Sequence, residues 1–240
     1  MQNSFVDLLI VIPVYRDDRA LRRLLDELQP LVARFMRDKA GHTLRCVVAD
    51  GANSATTRTC VSGDVAYLPC ARGRGLQIHA ALAAHPSHWV WILHADAVVG
   101  IELLDYIWHR TMAVERGWGR FDVALPGLAV IAHMMNWRSR LTRICTGDQG
   151  MFFATELLAQ CGGFPQLPLM EDIALSRSLK RSFGYFVAPR LVIHSSPRRW
   201  REHGVVRTVF FMWWLRLRYF LGVPAEHLYQ LYYPDSVESP

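Results

Sequence analysis

The chain has 240 residues, of which 51% are apolar and 20% charged, and it carries a formal net charge of +6. These values exclude an intrinsically disordered protein, which would have few apolar residues and much charge. A disulfide scaffold is also excluded, because five cysteines are few for this length, are odd in number and include no C-x-x-C pair. The positive charge indicates an anionic partner, and nucleic acid, a membrane surface and an anionic substrate are the candidates.

Residues 5–14 are apolar but lack the basic start and the small-residue cleavage site of a signal peptide. A buried first strand is the better interpretation. No apolar run reaches the roughly 18–20 residues of a membrane-spanning helix. Cys46 and Cys161 lie in or beside apolar runs, as reduced thiols do in cytosolic proteins. We therefore expect a cytoplasmic protein.

Short apolar runs alternate with helical patterns along the chain. In chain order, the patterns predict a strand at 8–12, a helix capped by Asp17 or Asp18, strands at 46–49 and 65–68, a helix at 75–84, a strand at 89–93, a helix at 101–115, a strand at 121–125, a helix at 129–143, a strand at 150–154, a helix at 171–180, a strand at 185–194 and a C-terminal helix. Pro30 is expected to kink or split the first helix. This alternation predicts an α/β fold with a mostly parallel central sheet flanked by helices.

Polar residues follow the first four predicted strands. These are Asp17, Asp50, the loop from Arg72 to Gly75, and the segment His94-Ala95-Asp96. Acids at such positions most often cap helices or form turns. Because ligands of open α/β sheets bind beyond the carboxyl ends of the strands, the set as a whole indicates a binding site.

The residue types at these strand ends suit a nucleotide diphosphate. A carboxylate can accept hydrogen bonds from a base or a ribose, and Arg74 with the backbone of Gly73 and Gly75 can meet phosphate oxygens. Asp96, together with a diphosphate and waters, would make a normal ligand set for Mg²⁺. His94 is not assigned to the metal, because hard cations prefer oxygen ligands.

An ordered series of motifs resembles the family 2 glycosyltransferases of the GT-A fold. The motifs are Ile12-Pro13-Val14-Tyr15-Arg16-Asp17, Ala49-Asp50-Gly51-Ala52-Asn53-Ser54, His94-Ala95-Asp96, Gly162-Gly163-Phe164, Glu171-Asp172 and Arg199-Trp200. The match is closer still to the bacterial "transferase 2, radical-SAM/selenodomain-associated" subgroup. Its similar segments are 93–96, 118–123, 135–142, 146–149, 168–173 and 198–205, so that the motifs of the family and the subgroup together are spread over residues 12–205.

The resemblance implies transfer of a sugar from a nucleotide donor with inversion at the anomeric carbon. It implies that Asp96 holds Mg²⁺ or Mn²⁺, that Asp172 is the base, and that Glu171 caps or orients. The implied donor contacts are Pro13, Tyr15, Asp17, Asp50, Gly73, Arg74, Gln77, Ala95, Arg199 and Trp200. Asp148 and Gln149 are expected on the acceptor side. UDP is the default nucleotide and GDP the second choice, and the acceptor is unknown.

The chain departs from the family pattern in the second motif, which reads Asn53-Ser54-Ala55 where the family has a late acid. Two alternative functions therefore stay open. One is a catalytically silent nucleotide-sugar-binding protein, which the retention of Asp96 and Asp172 opposes. The other is a nucleotidyltransferase of related fold. That class would need a glycine-rich loop after the first strand, where this chain has Pro13-Val14-Tyr15.

The C-terminal segment from 198 to 220 is both basic and aromatic. We expect a catalytic domain at 1–203 and a helical extension at 204–240 that packs on it as one structural unit. A peripheral membrane helix that meets a lipid-linked or cell-envelope acceptor at the inner membrane face is the close second interpretation. At 100° per residue Arg216 lies roughly opposite Arg207, so a clean amphipathic split is missing. Nucleic-acid binding is not favoured, since no known motif for it occurs.

Overall fold

A computed structural model describes residues 5–39, 41–113, 116–198, 200 and 204–233. Nine strands lie within these ranges. They are β1 (Val6–Val14), β2 (Leu44–Asp50), β3 (Val65–Pro69), β4 (Ser87–Ile92), β5 (Gly117–Gly119), β6 (Asp122–Ala124), β7 (Phe152–Ala154), β8 (Tyr185–Val187) and β9 (Val192–His194).

Seven strands form the central sheet, in the order β3-β2-β1-β4-β7-β5-β8, and β6 pairs with β9 in a separate small sheet. The neighbours among β3, β2, β1 and β4 are parallel, as are β5 and β8, while β7 is antiparallel to both of its neighbours. The predicted mostly parallel sheet is therefore confirmed. Its parallel half places the ends of β1, β2 and β4 at one edge, where the sequence predicted a site.

Nine α-helices surround the sheet within the described ranges. They are α1 (Asp18–Asp38), α2 (Ala55–Cys60), α3 (Arg74–Ala84), α4 (Ile101–Ala113), α5 (Ala129–Thr142), α6 (Glu156–Cys161), α7 (Glu171–Leu179), α8 (Val205–Phe220) and α9 (Ala225–Tyr232). No described helix is long and apolar enough to cross a membrane. The helices α8 and α9 bury Leu215 and Leu228 in a second apolar cluster that also contains Ile173 of α7.

The central strands are buried on both faces, which explains their continuous apolar sequence. Every residue from 8 to 12 in β1 is fully buried, and Trp91 of β4 is buried beside them. A strand covered by helices on both faces cannot alternate between apolar and polar residues. The apolar runs therefore predicted the first four strands correctly.

One prediction about local structure is wrong. Residues 185–194 form two strands, β8 and β9, which belong to different sheets. Pro189 lies between them and has no N–H to donate, so a single strand cannot continue through it. The helix α1 is not split at Pro30. This proline is exposed, so water can satisfy the carbonyl that loses its intrahelical donor.

Buried polar contacts fix α5 against β6. The Asn136 side chain accepts from the backbone N–H of Val123 and donates to its carbonyl, both at 2.9 Å. Arg140 binds the Asp122 carboxylate through two nitrogens at 2.8 Å. Arg120 is fully buried and donates to the same carboxylate. The position of α5 is therefore set by one carboxylate that serves two arginines.

Asp122→Asn is expected to lower the free energy of unfolding by about 3–5 kcal/mol, because it leaves the buried Arg120 charge without its partner. Glu156→Gln is the matched control, since Glu156 pairs with Arg116 at 3.0 Å where both side chains are about half exposed. That control is expected to cost less than about 1 kcal/mol. Urea unfolding measures both values, and equal losses would contradict the assignment.

Candidate active site

A cavity of about 750 Å³ opens at the carboxyl edge of the parallel strands. This volume is in the range of small-molecule sites. Most predicted site residues line it, namely Pro13, Tyr15, Asp17, Gly73, Arg74, Gln77, Ala95, Asp96, Asp148, Asp172 and Trp200. Asp50, Gln149 and Glu171 do not line the cavity, and Arg199 lies outside the described residues.

A chain of partly buried contacts joins four segments at the wall of this cavity. Arg74, at the start of α3, donates to the carboxylate of Glu171 at the start of α7. Its Nη1 lies 2.8 Å from Nε2 of His94, which follows β4. The other ring nitrogen of His94, Nδ1, lies 3.1 Å from an Asp148 oxygen. These four side chains form what we call the Arg74 network.

The network defines the tautomer of His94. An arginine has only donors, so Nε2 of His94 must accept from Arg74. Nδ1 then carries the proton and donates it to Asp148. Burial raises the pKa of Asp148, but the contact with His94 and the charges of Arg74 and Arg216 together lower it below its ordinary value. His94 therefore connects Arg74 to Asp148 through its two ring nitrogens.

Glu171 and Asp172 are adjacent in sequence but have different surroundings. Glu171 is 2% exposed and faces Arg74. Burial alone would lower the pKa of Arg74, but the charges of Glu171 and Asp172 outweigh it and raise this pKa. Asp172 lines the cavity, and its Oδ2 accepts from the N–H of Gly147 at 2.9 Å. Only Asp172 of the two lines the cavity.

Asp96 has the surroundings expected of a carboxylate that meets a cation. It lines the cavity, and no side chain of another described residue donates to its carboxylate. Burial raises its pKa, and the charges of Asp148 and Asp17 raise it further. The described residues contain no group of three or more His, Cys, Asp or Glu that could hold a metal. Asp96 fits a metal whose other ligands come from a diphosphate and water.

At the end of β1, Asp17 is already engaged by the protein. It caps α1 by accepting from the N–H of Ala20 and binds Arg198 through both oxygens, at 2.6 and 3.4 Å. Beside it, Arg72 stacks 4.1 Å from the centre of the Tyr15 ring and also lies near Tyr229 of α9. The C-terminal extension therefore contributes to this side of the cavity.

Three residues that were predicted to contact the donor or to lie on the acceptor side make hydrogen bonds within the protein. The buried carboxylate of Asp50 accepts from the N–H groups of Ala52 and Ser54 and from the Tyr67 hydroxyl. Burial and this bond raise the pKa of Tyr67 to about 12. Gln77 donates at 2.7 Å to the carbonyls of Val14 and Ala49, which ties β1 to β2. Gln149 closes a capping box with Thr146 in the 3-10 turn Gly147–Gln149.

The glycine loop before α3 is partly closed to phosphate. The N–H of Gly75 donates to the Leu167 carbonyl at 3.2 Å, so it is occupied. Gly73 lines the cavity at φ +127°, a conformation that favours glycine.

Sequence reasoning missed two cavity arginines, Arg138 of α5 and Arg216 of α8. Arg138 lies within the motif 135–142. Arg216 lies roughly opposite Arg207 on the helix, and this angle indicated that the two arginines have different surroundings. Arg207 is indeed exposed.

No protein-family model and no curated protein matches the chain. Solved structures do match it. Residues 1–349 of S. aureus TarS superpose with a TM-score of 0.61 at 15% identity, covering 82% of this chain and 63% of that one. The Pyrobaculum calidifontis mannosyltransferase PcManGT, solved with GDP-Man and Mn²⁺, gives 0.60 at 20% identity, covering 80% and 57%.

A third match is glucosyl-3-phosphoglycerate synthase from Mycobacterium tuberculosis, solved with Mn²⁺, UDP and glucosyl-3-phosphoglycerate. Its TM-score is 0.54 at 14% identity, covering 80% of this chain and 70% of that one. The chain thus spans less than two thirds of the TarS and mannosyltransferase structures. The fold is that of the GT-A glycosyltransferases, as the motifs predicted. At these identities the likeness establishes the fold alone.

Gly147→Ala is expected to lower the free energy of unfolding by about 1–3 kcal/mol. A Cβ there would overlap Nε2 of His94 and lie 3.0 Å from Nη1 of Arg74. His94 is held on both sides, so it cannot yield without losing a hydrogen bond. In a His94→Ala background the same substitution is expected to cost at least about 1 kcal/mol less. Denaturant unfolding of the four proteins gives this coupling, and additive losses would contradict the Arg74 network.

Proposed function

We propose that the protein is an inverting, metal-dependent glycosyltransferase of family 2 that moves a hexose from a UDP- or GDP-sugar to an acceptor hydroxyl. The observation that carries the proposal is that Asp96 and Asp172 line the same cavity, at the carboxyl ends of the parallel strands. One carboxylate suits a metal–diphosphate complex, and the other suits proton removal from an acceptor.

Asp172 is the base of the proposed reaction. Its two oxygens accept from the N–H groups of Gly147 and Ile173, at 2.9 and 2.7 Å, which fixes the orientation of the carboxylate. Each oxygen keeps a second lone pair for a proton. As the acceptor oxygen attacks the anomeric carbon opposite the diphosphate, Asp172 takes its proton. The bond to the diphosphate breaks, and the configuration inverts.

Other residues hold the donor and the base in place. Mg²⁺ or Mn²⁺ at Asp96 would neutralise charge on the leaving diphosphate. Tyr15 and Trp200 line the cavity where a nucleotide can stack or pack. Arg74 orients Glu171, and its Nη2 lies 3.6 Å from Oδ2 of Asp172. Arg74 therefore helps to hold the base in position.

The finer assignments belong to the same proposal. The motifs support membership of the "transferase 2, radical-SAM/selenodomain-associated" subgroup. We place the protein in the cytoplasm, at the inner membrane face when its acceptor is lipid-linked. We also assign residues 1–203 to the catalytic domain and 204–240 to a helical extension packed on it. The buried contacts of Leu215 and Leu228 with the cluster around Ile173 support this arrangement.

A screen of UDP- and GDP-sugars with Mg²⁺ or Mn²⁺, read by thermal shift and donor hydrolysis, tests the function. Wild type is expected to be stabilised by at least one donor. Asp96→Ala should abolish the metal-dependent stabilisation. Asp172→Asn should keep it and lose turnover by about 10²–10⁴-fold, because the base is gone.

Asp26→Ala is the control, since Asp26 is an exposed residue of α1 away from the cavity. It should match wild type in both assays. If no nucleotide sugar stabilises wild type, the proposed function is wrong. Stabilisation without turnover would identify a silent binding protein instead.

A further inference from the structure

Arg138 and Arg216 line the cavity without a partner for their buried nitrogens. The Nη2 atom of Arg138 and the Nε atom of Arg216 are inaccessible to water and make no hydrogen bond to any described residue. Among described residues, neither guanidinium pairs with a carboxylate within 4.0 Å. A buried donor left without a partner costs free energy, and more so when it is charged.

The other cavity arginines differ from this pair. Arg74 is bound by Glu171, Arg198 is bound by Asp17, and Arg72 stacks on Tyr15. Those three are committed to building the site. Arg138 and Arg216 therefore stand apart as the cavity arginines for which the described residues supply neither a carboxylate within 4.0 Å nor a stacking ring.

The two unpaired arginines also repel each other. Burial lowers the pKa of Arg138 to about 10, and the charge of Arg216 contributes to that lowering. Burial lowers the pKa of Arg216 as well, although Asp172 and Asp148 oppose it. Two like charges kept close in a dehydrated site destabilise the ligand-free protein, and an anion between them would remove that cost.

Neighbouring contacts hold both side chains at the cavity. Ser139 and Asn136 anchor α5 on either side of Arg138, through hydrogen bonds to Gln149 and Val123. Arg216 follows Leu215, which is fully buried in the second apolar cluster. The placement of both arginines is a property of the packing.

We propose that the acceptor carries a phosphate group, which binds between the guanidinium groups of Arg138 and Arg216. This inference rests on the proposed glycosyl transfer and names its acceptor class. Two guanidinium forks match the charge and the oxygens of a phosphate monoester. Arg216 is close enough to Asp172 for their charges to interact, which puts the phosphate on the side of the base.

The cavity wall beside the arginines is apolar, which favours a phosphate attached to a hydrocarbon chain. The same two helices, α5 and α8, supply Ile131, Met134, Trp137, Met212 and Trp213. A lipid phosphate would use both the charge and this wall, whereas a small soluble phosphate would use the charge alone.

Binding of octyl phosphate and of inorganic phosphate to the full chain tests the proposal, by calorimetry in phosphate-free buffer without nucleotide. Arg138→Gln and Arg216→Gln should each raise the Kd for octyl phosphate at least tenfold. Arg207→Gln removes an exposed charge from the same helix and should leave it within twofold. Tighter binding of octyl phosphate than of inorganic phosphate supports a lipid headgroup, and equal binding supports a small soluble acceptor.

The Tm of a glutamine variant and phosphate binding by the lysine variants test the proposal further. The Tm of ligand-free Arg138→Gln should equal or exceed that of wild type, because the substitution removes repulsion. Arg138→Lys and Arg216→Lys keep the charge without the fork, and should weaken phosphate binding less than the glutamine variants. Unchanged phosphate binding in all four variants would overturn the proposal.

Binding of UDP and GDP with Mn²⁺ separates the acceptor from the donor. It should be unaffected by Arg138→Gln and Arg216→Gln. A matching loss of nucleotide affinity would overturn the proposal and give the arginines to the donor diphosphate. If wild type binds a nucleotide sugar but neither octyl phosphate nor inorganic phosphate, this inference is contradicted and the proposed function is not. Absence of nucleotide-sugar binding contradicts the proposed function.

Discussion

The buried contact between Arg74 and Glu171 is the constraint around which the site is arranged. Glu171 is almost inaccessible to water, so its charge needs a partner inside the protein. Arg74 supplies that partner and reaches on to His94, which holds Asp148. One chain of contacts thus joins α3, α7, the segment after β4 and the 3-10 turn Gly147–Gln149. These are the segments that carry the proposed metal ligand and the proposed base.

The sequence predicted the parallel half of the sheet well, because strands buried on both faces must be apolar throughout. In the other half it predicted β7, missed β5 and merged β8 with β9. The strand β5 is only Gly117–Gly119, too short to show a period. The region 185–194 has a strand-like composition, and only the position of Pro189 separates its two strands. Which sheet each short strand joins is decided by tertiary contacts that no local pattern records.

The polar residues at the strand ends predicted where the cavity lies, but their positions did not separate residues that face the cavity from residues that the fold uses. Asp50 and Asp96 both follow buried strands, yet Asp50 is used by its own loop while Asp96 faces the cavity. The N–H groups that bind Asp50 belong to the backbone of Ala52 and Ser54, and the side chains of these two residues do not reveal this contact. The motif therefore identifies the neighbourhood of the site, whereas the hydrogen bonds decide which carboxylates stay available to a ligand.

The same distinction explains the net charge of +6. The net charge counts every arginine equally, including those that a carboxylate neutralises inside the protein. Arg120 and Arg140 share Asp122, and Arg74 has Glu171, so these charges stabilise the fold and leave nothing for a partner. Arg138 and Arg216 have no such carboxylate among the described residues. In the proposed function, recognition of a phosphorylated acceptor depends on the few arginines that folding leaves unpaired, and not on the overall excess of basic residues.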